Sequence, residues 1–410
     1  MEQLEQLLLD ALHPAVSLTP ERLAAVTPEQ WQAWLALARK QRVTSLLWRC
    51  LQRKGAATLL PDAVATELKA ATKRTALLNL RRYGELRQLL NAAQKEQIPV
   101  VLLKGIYLAD VVYENPGLRE MNDIDLLVPI EALQRIADLL ESLGYEPFQP
   151  VDPAVTLKVC HHLPPFIKKG YACFEIHWNL PNPGEAGYVE PDGFLQRAVA
   201  VRVAGGEALA LSPEDLLLHL CFHTSFHHHF AFGLRPSCDI AHLIDHFDSR
   251  LDWRIVGERA TAFGWQRGVY LALRLARELV GAKVPDAVLE CLQPGAGEAA
   301  IVELARRQLF SDKLIASEIT PSFAELATAQ HLFEKIRIFW QRIFVSKEYL
   351  AAHYALPVDS PYLYLWYPRR VLSLLRRYRN RFWLMKGGDA QLGGIVTRKR
   401  DIVGWLEEKL

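Results

Sequence analysis

Two aspartates, Asp123 and Asp125, stand two residues apart at the head of the apolar run D-I-D-L-L-V. Side chains alternate faces along a strand, so positions i and i+2 share one face, roughly 6.5–7 Å apart. Two carboxylates on one face repel each other unless a cation lies between them or a proton is shared. Leu126, Leu127 and Val128 make the rest of the run a buried strand, so the pair sits at its edge. Such a place suits a divalent metal held by oxygen ligands. The chemistry this points to is metal-dependent phosphoryl or nucleotidyl transfer.

Further residues add to that reading. An upstream apolar run, Ile98–Leu103, ends in Lys104-Gly105. Lysine offers phosphate a point charge and arginine a two-pronged fork, so Lys104 and Arg119 are candidate phosphate ligands; Arg119 could instead orient Asp123 by an ion pair. Glu175 lies between Phe174 and Ile176 in the run Y-A-C-F-E-I-H-W. A carboxylate among apolar neighbours needs a cation, either a metal or an arginine or lysine. His177, two residues on, shares the face of Glu175; it either orients Glu175 or contacts substrate, or it is a histidine packed beside Trp178. Charge on the attacking and leaving oxygens of an in-line displacement can be neutralised by two metals about 3.5–4 Å apart, which three clustered carboxylates can hold. Positioning and electrostatics then carry the reaction.

His219, His223 and His227 recur four apart with His228 and His229 behind. Histidines at i and i+4 can share zinc, but there is no H-E-x-x-H glutamate and no cysteine at ligand spacing. The stripe reads as packing against the core and lining an acceptor pocket, with His223 and Asp239 of the next helix as pocket candidates.

The elements that must position these groups are legible in the pattern. Residues 1–97 read as helices: Thr19-Pro20-Glu21 and Thr27-Pro28-Glu29-Gln30 are helix starts, the second a capping box. A long helical pattern begins at Pro61-Asp62 with Leu77, Leu80, Tyr83, Leu86, Leu89 and Leu90 as its stripe. Residues 98–205 alternate strand and helix, with strands at 98–103, 123–128, 171–178 and 199–203 and a helix from Pro129 to Leu143. From Ser212-Pro213-Glu214-Asp215 on the chain is helical. Residues 386–396, K-G-G-D-A-Q-L-G-G-I-V, read as a loose glycine-rich stretch. Residues 366–386 read as a basic aromatic helix, which either docks its apolar side on the body or lies on an anionic membrane or RNA. The expected organisation is a helical region (1–97), an α/β core (98–205) and a second helical region (206–410).

The 410 residues leave room for a sizeable core. With 48 Lys and Arg against 46 Asp and Glu, net charge +2, bulk charge argues for neither nucleic acid nor membrane. Six cysteines without a C-x-x-C pair point to reduced thiols. The opening M-E-Q-L-E lacks a basic leader, and no apolar run reaches the ~18 residues of a spanning helix. The expectation is a cytoplasmic protein.

The pattern L-L-K-G, then Arg119-x-x-x-Asp123-Ile-Asp125-Leu-Leu-Val, then Glu175-Ile-His177-Trp178 resembles the bacterial nucleotidyltransferase-like proteins of the polymerase-beta superfamily, in particular their uncharacterised nucleotidyltransferase group. The resemblance spans roughly residues 30–280. It implies an α+β fold with a small mixed-sheet core flanked by helical regions. It implies that Asp123 and Asp125 bind Mg²⁺ (or Mn²⁺), that Glu175 is the third acid, a metal ligand that activates the acceptor hydroxyl, and that Gly105 is the turn residue at the triphosphate. This chain has Lys104-Gly105 where the family has Gly-Ser, and a longer gap to Asp123. The expected reaction moves a nucleoside monophosphate from an NTP, most simply ATP, to an unidentified acceptor, with pyrophosphate leaving. Phosphoryl transfer at the same site and a non-catalytic partner protein with the same fold remain the alternatives.

Overall fold

The computed structural model describes residues 2–149, 156–183, 189–295, 298–311, 316, 319–329, 331–354, 356–386 and 390–408. Its architecture is α+β: a seven-stranded mixed sheet set among helices. The strands are β1 (Val101–Leu102), β2 (Asp123–Leu127), β3 (Glu146–Pro147), β4 (Phe166–Ile167), β5 (Cys173–His177), β6 (Val199–Val203) and β7 (Gly206–Ala210), in the order β3-β4-β5-β2-β1-β7-β6. β2 runs parallel to β5 and antiparallel to β1, and β1 runs parallel to β7.

The N-terminal helices begin where side chains can satisfy the free amides of the first turn. Thr27 accepts from the Gln30 N–H at 3.3 Å while the Gln30 side chain accepts from the Thr27 N–H at 2.9 Å, a complete capping box before Pro28–Lys40. The long helix Asp62–Lys95 packs on the sheet. Its buried stripe is Leu68, Ala71, Thr75, Asn79, Tyr83, Leu86, Leu89 and Leu90. Leu77 and Leu80, expected in that stripe, are exposed: at 3.6 residues per turn they lie about 180° and about 120° around the helix from Leu86, and the small polar Thr75 and Asn79 take the inward positions. Asn79 uses its place to hold a loop, donating to the carbonyls of Pro116 (2.7 Å) and Arg119 (2.8 Å).

The sheet continues beyond residue 205. β6 and β7 form a hairpin whose two turn residues, Ala204 and Gly205, have φ of 53° and 78°, the left-handed pair that a tight hairpin with native twist requires. The strand G-E-A-L-A therefore belongs to the sheet rather than to the helical segment expected from 206. One apolar core also runs from Leu7 through Leu309 and takes in Ile402 and Leu406, so all three expected segments contribute to it. A second apolar cluster lies among Phe323, Leu326, Ile338, Leu374, Ile395 and Val396. Residues 390–396, expected to be loose, begin the helix Ala390–Glu407. Ile395, Val396 and Ile402 are fully or almost fully buried, and that burial outweighs the cost of about 1 kcal/mol for each interior glycine. The rest of that expected loose stretch, 387–389, lies outside the described residues.

Candidate active site

Parallel pairing of β2 and β5 sets Asp123 opposite Cys173, Asp125 opposite Glu175 and Leu127 opposite His177. The alternation turns Ile124, Leu126, Phe174 and Ile176 into the core, all fully buried. Asp123, Asp125, Glu175 and His177 face a cleft of about 510 Å³, within the range of small-molecule sites.

Asp125 is buried and bonded from two sides. Lys104 Nζ donates to Asp125 Oδ1 at 3.2 Å, and His177 Nε2 lies 3.2 Å from the same oxygen. Burial alone would raise this carboxyl, but the Lys104 charge and the His177 hydrogen bond hold it well below the usual carboxylate range. Glu175 has the opposite fate. Burial, then repulsion from Asp125, push it up to about 7, with Lys104 opposing. His177 is pushed down to about 4, chiefly by burial against the pull of Asp125, so the ring is neutral near pH 7. Because ionised Asp125 can only accept, Nε2 carries the proton. His177 Nδ1 then holds a lone pair, and it is buried without a hydrogen bond among the described residues.

One ligand atom each from Asp125, Glu175 and His177 lies within 4.8 Å of the others, the one such group of acids, histidines or cysteines among the described residues. Asp123 lines the same cleft outside that tight group. The donor set fits a hard divalent cation: clustered carboxylate oxygens suit Mg²⁺ or Mn²⁺, and Glu175, close to Asp125, is the acid whose charge Lys104 leaves under-compensated.

Lys104 reaches this spot through an unusual turn. Leu103 is extended, and Lys104 opens the short helix Lys104–Tyr107 with φ of 31°, a left-handed value that costs a non-glycine residue of order 1–3 kcal/mol and recurs at functional sites. Gly105 lines the same cleft, and a Cβ there would lie 3.1 Å from Arg119 Nη1, so the glycine also makes room for the arginine.

Arg119 does not pair with Asp123. Its Nε and Nη2 donate to the two oxygens of Asp239 at 2.9 and 2.8 Å, and Tyr113 Oη donates to Asp239 Oδ1 at 2.9 Å. Both carboxylate oxygens of Asp239 are thus engaged, at the border of the cleft that His223 also lines. Arg119 Nη1 makes no hydrogen bond among the described residues and points to the Gly105 side of the cleft. Arg235, which carried no signal in the sequence, stands beside it. Nη1 of Arg235 donates to the Glu120 carbonyl at 2.9 Å, its Nε is buried without a hydrogen bond, and among the described residues no carboxylate pairs with it. Burial pushes it down to about 10. Gly233 makes its approach possible: with φ of 80° and a Cβ position 2.9 Å from Gln41 Oε1, only glycine fits.

The remaining wall is imidazole. The helix Pro213–Phe222 runs into a wider π-turn, His223–His227, a device common at functional sites. This breaks the expected four-residue register. His223, His227, His228 and His229 line the cleft, while His219 is buried outside its lining. His161 stacks on His227 with ring centres 4.9 Å apart, and His161 and His162 lie 5.2 and 5.3 Å from His177. Burial pushes His227 and His229 down to about 3 and His223 well below its ordinary range. The cleft therefore has an acidic floor, an arginine side and an imidazole wall in which burial keeps His223, His227 and His229 neutral.

The sequence model of a family described as uncharacterised nucleotidyltransferase matches residues 27–281. No curated relative matches the chain. Among solved structures, the crystal structure of ANT(2'')-Ia in complex with adenylyl-2''-tobramycin matches at 15% identity and a TM-score of 0.33, over 44% of this chain and 95% of that one. The solution structure of the antibiotic-resistance factor ANT(2'')-Ia matches at 17% and 0.33, over 48% of this chain and 96% of that one. By the extent of the family match, the chain belongs to the uncharacterised nucleotidyltransferase family.

Proposed function

We propose, taking membership of the nucleotidyltransferase family as premise, that the cleft transfers a nucleoside monophosphate from an NTP, most simply ATP, to an acceptor hydroxyl. The observation that carries this reading is the strand register that sets Asp125 against Glu175, with Asp123 on the same face and one lysine against three acids. Asp123, Asp125 and Glu175 would hold Mg²⁺ or Mn²⁺. When bound, the metal supplies positive charge to the attacking oxygen, the α-phosphate and the leaving pyrophosphate.

The chain's own groups do the rest. Lys104, with Arg119 Nη1 and Arg235, binds phosphate oxygens on the side of the cleft facing the acids. His177 holds Asp125 ionised and fixes its orientation. The acceptor oxygen forms its bond to the α-phosphorus as the bond to pyrophosphate breaks. Glu175, beside the acceptor, would take the hydroxyl proton as that bond forms. The imidazole wall, including His223, receives the acceptor and excludes water. The sheet and its flanking helices up to about residue 281 form the catalytic unit, and the later helices an appended one.

The test is incubation with NTPs labelled at either the α- or the γ-phosphate, together with cell extract, followed by mass identification of the product. Label from the α-position should enter the product and γ-label should leave as pyrophosphate. Product carrying γ-label would show phosphoryl transfer instead. A melting temperature unmoved by every NTP with Mg²⁺ would favour a non-catalytic partner protein.

A further inference from the structure

The C-terminal helices present a surface that the transfer reaction does not use. On the helix Leu332–Ile343, Ile338 and Ile343 turn into the second apolar cluster. The opposite face shows Leu332 (70% exposed), Phe333 (86%), Ile336 (52%) and Trp340 (61%), with Phe344 following one turn later. Their spacing of three or four residues makes one continuous stripe. Tyr362, Tyr364 and Leu365, and Leu372 and Leu375 of the helix Trp366–Lys386, add further exposed apolar side chains. A groove of about 440 Å³ between these helices is lined by Leu326, Ile336, Phe339, Trp340 and Leu375, with Lys335 and Arg379 in its wall. A run of large apolar side chains left in water this way marks an interaction site.

Charge says what kind. Residues 332–386 hold eleven lysines and arginines and three acids, while the whole chain is only +2. The other residues are therefore net negative, and the positive charge is concentrated on the segment that exposes the apolar stripe. Arg337, Arg342, Arg369, Arg376 and Arg379 are exposed there.

We infer that this face docks the protein on an anionic phospholipid surface, with the Leu332–Trp340 stripe entering the interface and the surrounding arginines meeting lipid phosphates. A membrane interface uses both features at once: apolar side chains bury into the headgroup boundary and basic ones are drawn to acidic lipid. Nucleic acid would engage the arginines and aromatic rings but leave Leu332, Ile336, Leu365, Leu372 and Leu375 without a partner. A second copy of the chain would bring like charge against like charge. No helix among the described residues is long and apolar enough to cross a membrane; the attachment inferred is of this exposed face to the lipid surface.

The test is co-sedimentation of the full chain with vesicles of phosphatidylserine and phosphatidylcholine, against vesicles of phosphatidylcholine alone. At least tenfold more protein should sediment with the anionic vesicles, and raising the salt should release most of it, since surface attraction falls off within about 10 Å at 0.1 M salt. The exposed pair Phe333→Ser with Trp340→Ser should weaken binding at least tenfold at unchanged melting temperature, and Lys335→Glu with Arg379→Glu should do the same. Equal sedimentation with neutral and anionic vesicles, no sedimentation with either, or binding indifferent to both variant pairs would overturn the inference. So would capture of single-stranded RNA by a protein that ignores vesicles. Each readout is independent of nucleotide chemistry, so its failure leaves the proposed reaction standing.

Discussion

Two buried aspartates in this molecule are compensated in opposite ways. Asp215 is completely buried, and two arginines close on it: Arg197 at 2.7 and 3.3 Å and Arg259 at 3.0 Å. Asp125 is almost as buried, yet it shares a single lysine with Glu175 and Asp123. Around Asp215 positive charge is in surplus; around Asp125 negative charge is. Taking an ionised carboxylate out of water costs several kcal/mol unless it is well paired, so the first arrangement is one that folding alone explains. The second keeps acids together at a cost to the fold, and a cation arriving there would relieve that cost. Asp239, held by Arg119 and Tyr113, belongs with Asp215 although it borders the cleft.

The sharpest way to break the contrast is at its centre. Asp125→Asn should lower the transfer rate by about 10⁴-fold, roughly 5 kcal/mol of transition-state stabilisation, with only a modest loss of stability, because Lys104 and His177 lose the charge that holds the carboxyl low while Glu175 is relieved of a repelling neighbour. Substantial activity in a folded Asp125→Asn protein would end the catalytic reading. Asp215→Ala should do the converse. Stranding Arg197 and Arg259 should cost about 3–5 kcal/mol of stability, measured by urea unfolding, with activity per folded molecule retained. If both variants lost stability alike, the two centres would not differ in kind.

Arg235 extends the comparison to the positive side of the cleft. Among the described residues it is a cation with no carboxylate in salt-bridge contact, as Glu175 is an acid without an adequate cation. Arg235→Ala should raise the KM for NTP by 10- to 100-fold, about 1.4–2.8 kcal/mol, because a charge-assisted hydrogen bond to phosphate is lost. Stability should hold or improve. An unchanged KM with a lower melting temperature would assign Arg235 to the fold instead.

What could be read in the sequence follows the same division. Asp123, Asp125 and Glu175 were legible because a strand has a period of two and an acid in an apolar strand needs a reason. The capping box at Thr27 and the hairpin strand 199–203 were legible because their signals are local. Arg235 was not, since nothing in G-L-R-P-S records that Gly233 folds it against the loop carbonyl of Glu120. The pairing of Arg119 with Asp239 joins residues 120 apart, a distance over which spacing carries no information. Leu77 and Leu80 misled because an apolar stripe on a long helix looks the same whether it faces the core or the solvent. The strand 206–210 was missed because alternation over five residues, two of them alanine, is a weak signal.

The imidazole wall offers the smallest effect and a separate check on the contrast. His229 is kept neutral by burial, with the nearby Lys399 charge adding to it, at a pKa of about 3; the unfolded chain protonates near 6.5. Below pH 6.5 the unfolded state therefore binds the extra proton, and stability falls as pH falls, by about 1.4 kcal/mol per pH unit, until the folded ring titrates. Relative to His229→Gln, the native protein should thus lose about 1.4 kcal/mol between pH 8 and pH 5.5 in urea unfolding. Glu175 has the opposite sign: its raised pKa makes the folded state bind the extra proton between about pH 4.5 and 7, so its contribution declines as pH rises through that window. Relative to Glu175→Gln, the native protein should therefore lose stability on the way up, and added Mg²⁺ should restore it. Opposite slopes from the two variants would separate a wall that must stay neutral from a floor that awaits a cation; parallel slopes would mean that the acids and the histidines are buried for the same reason.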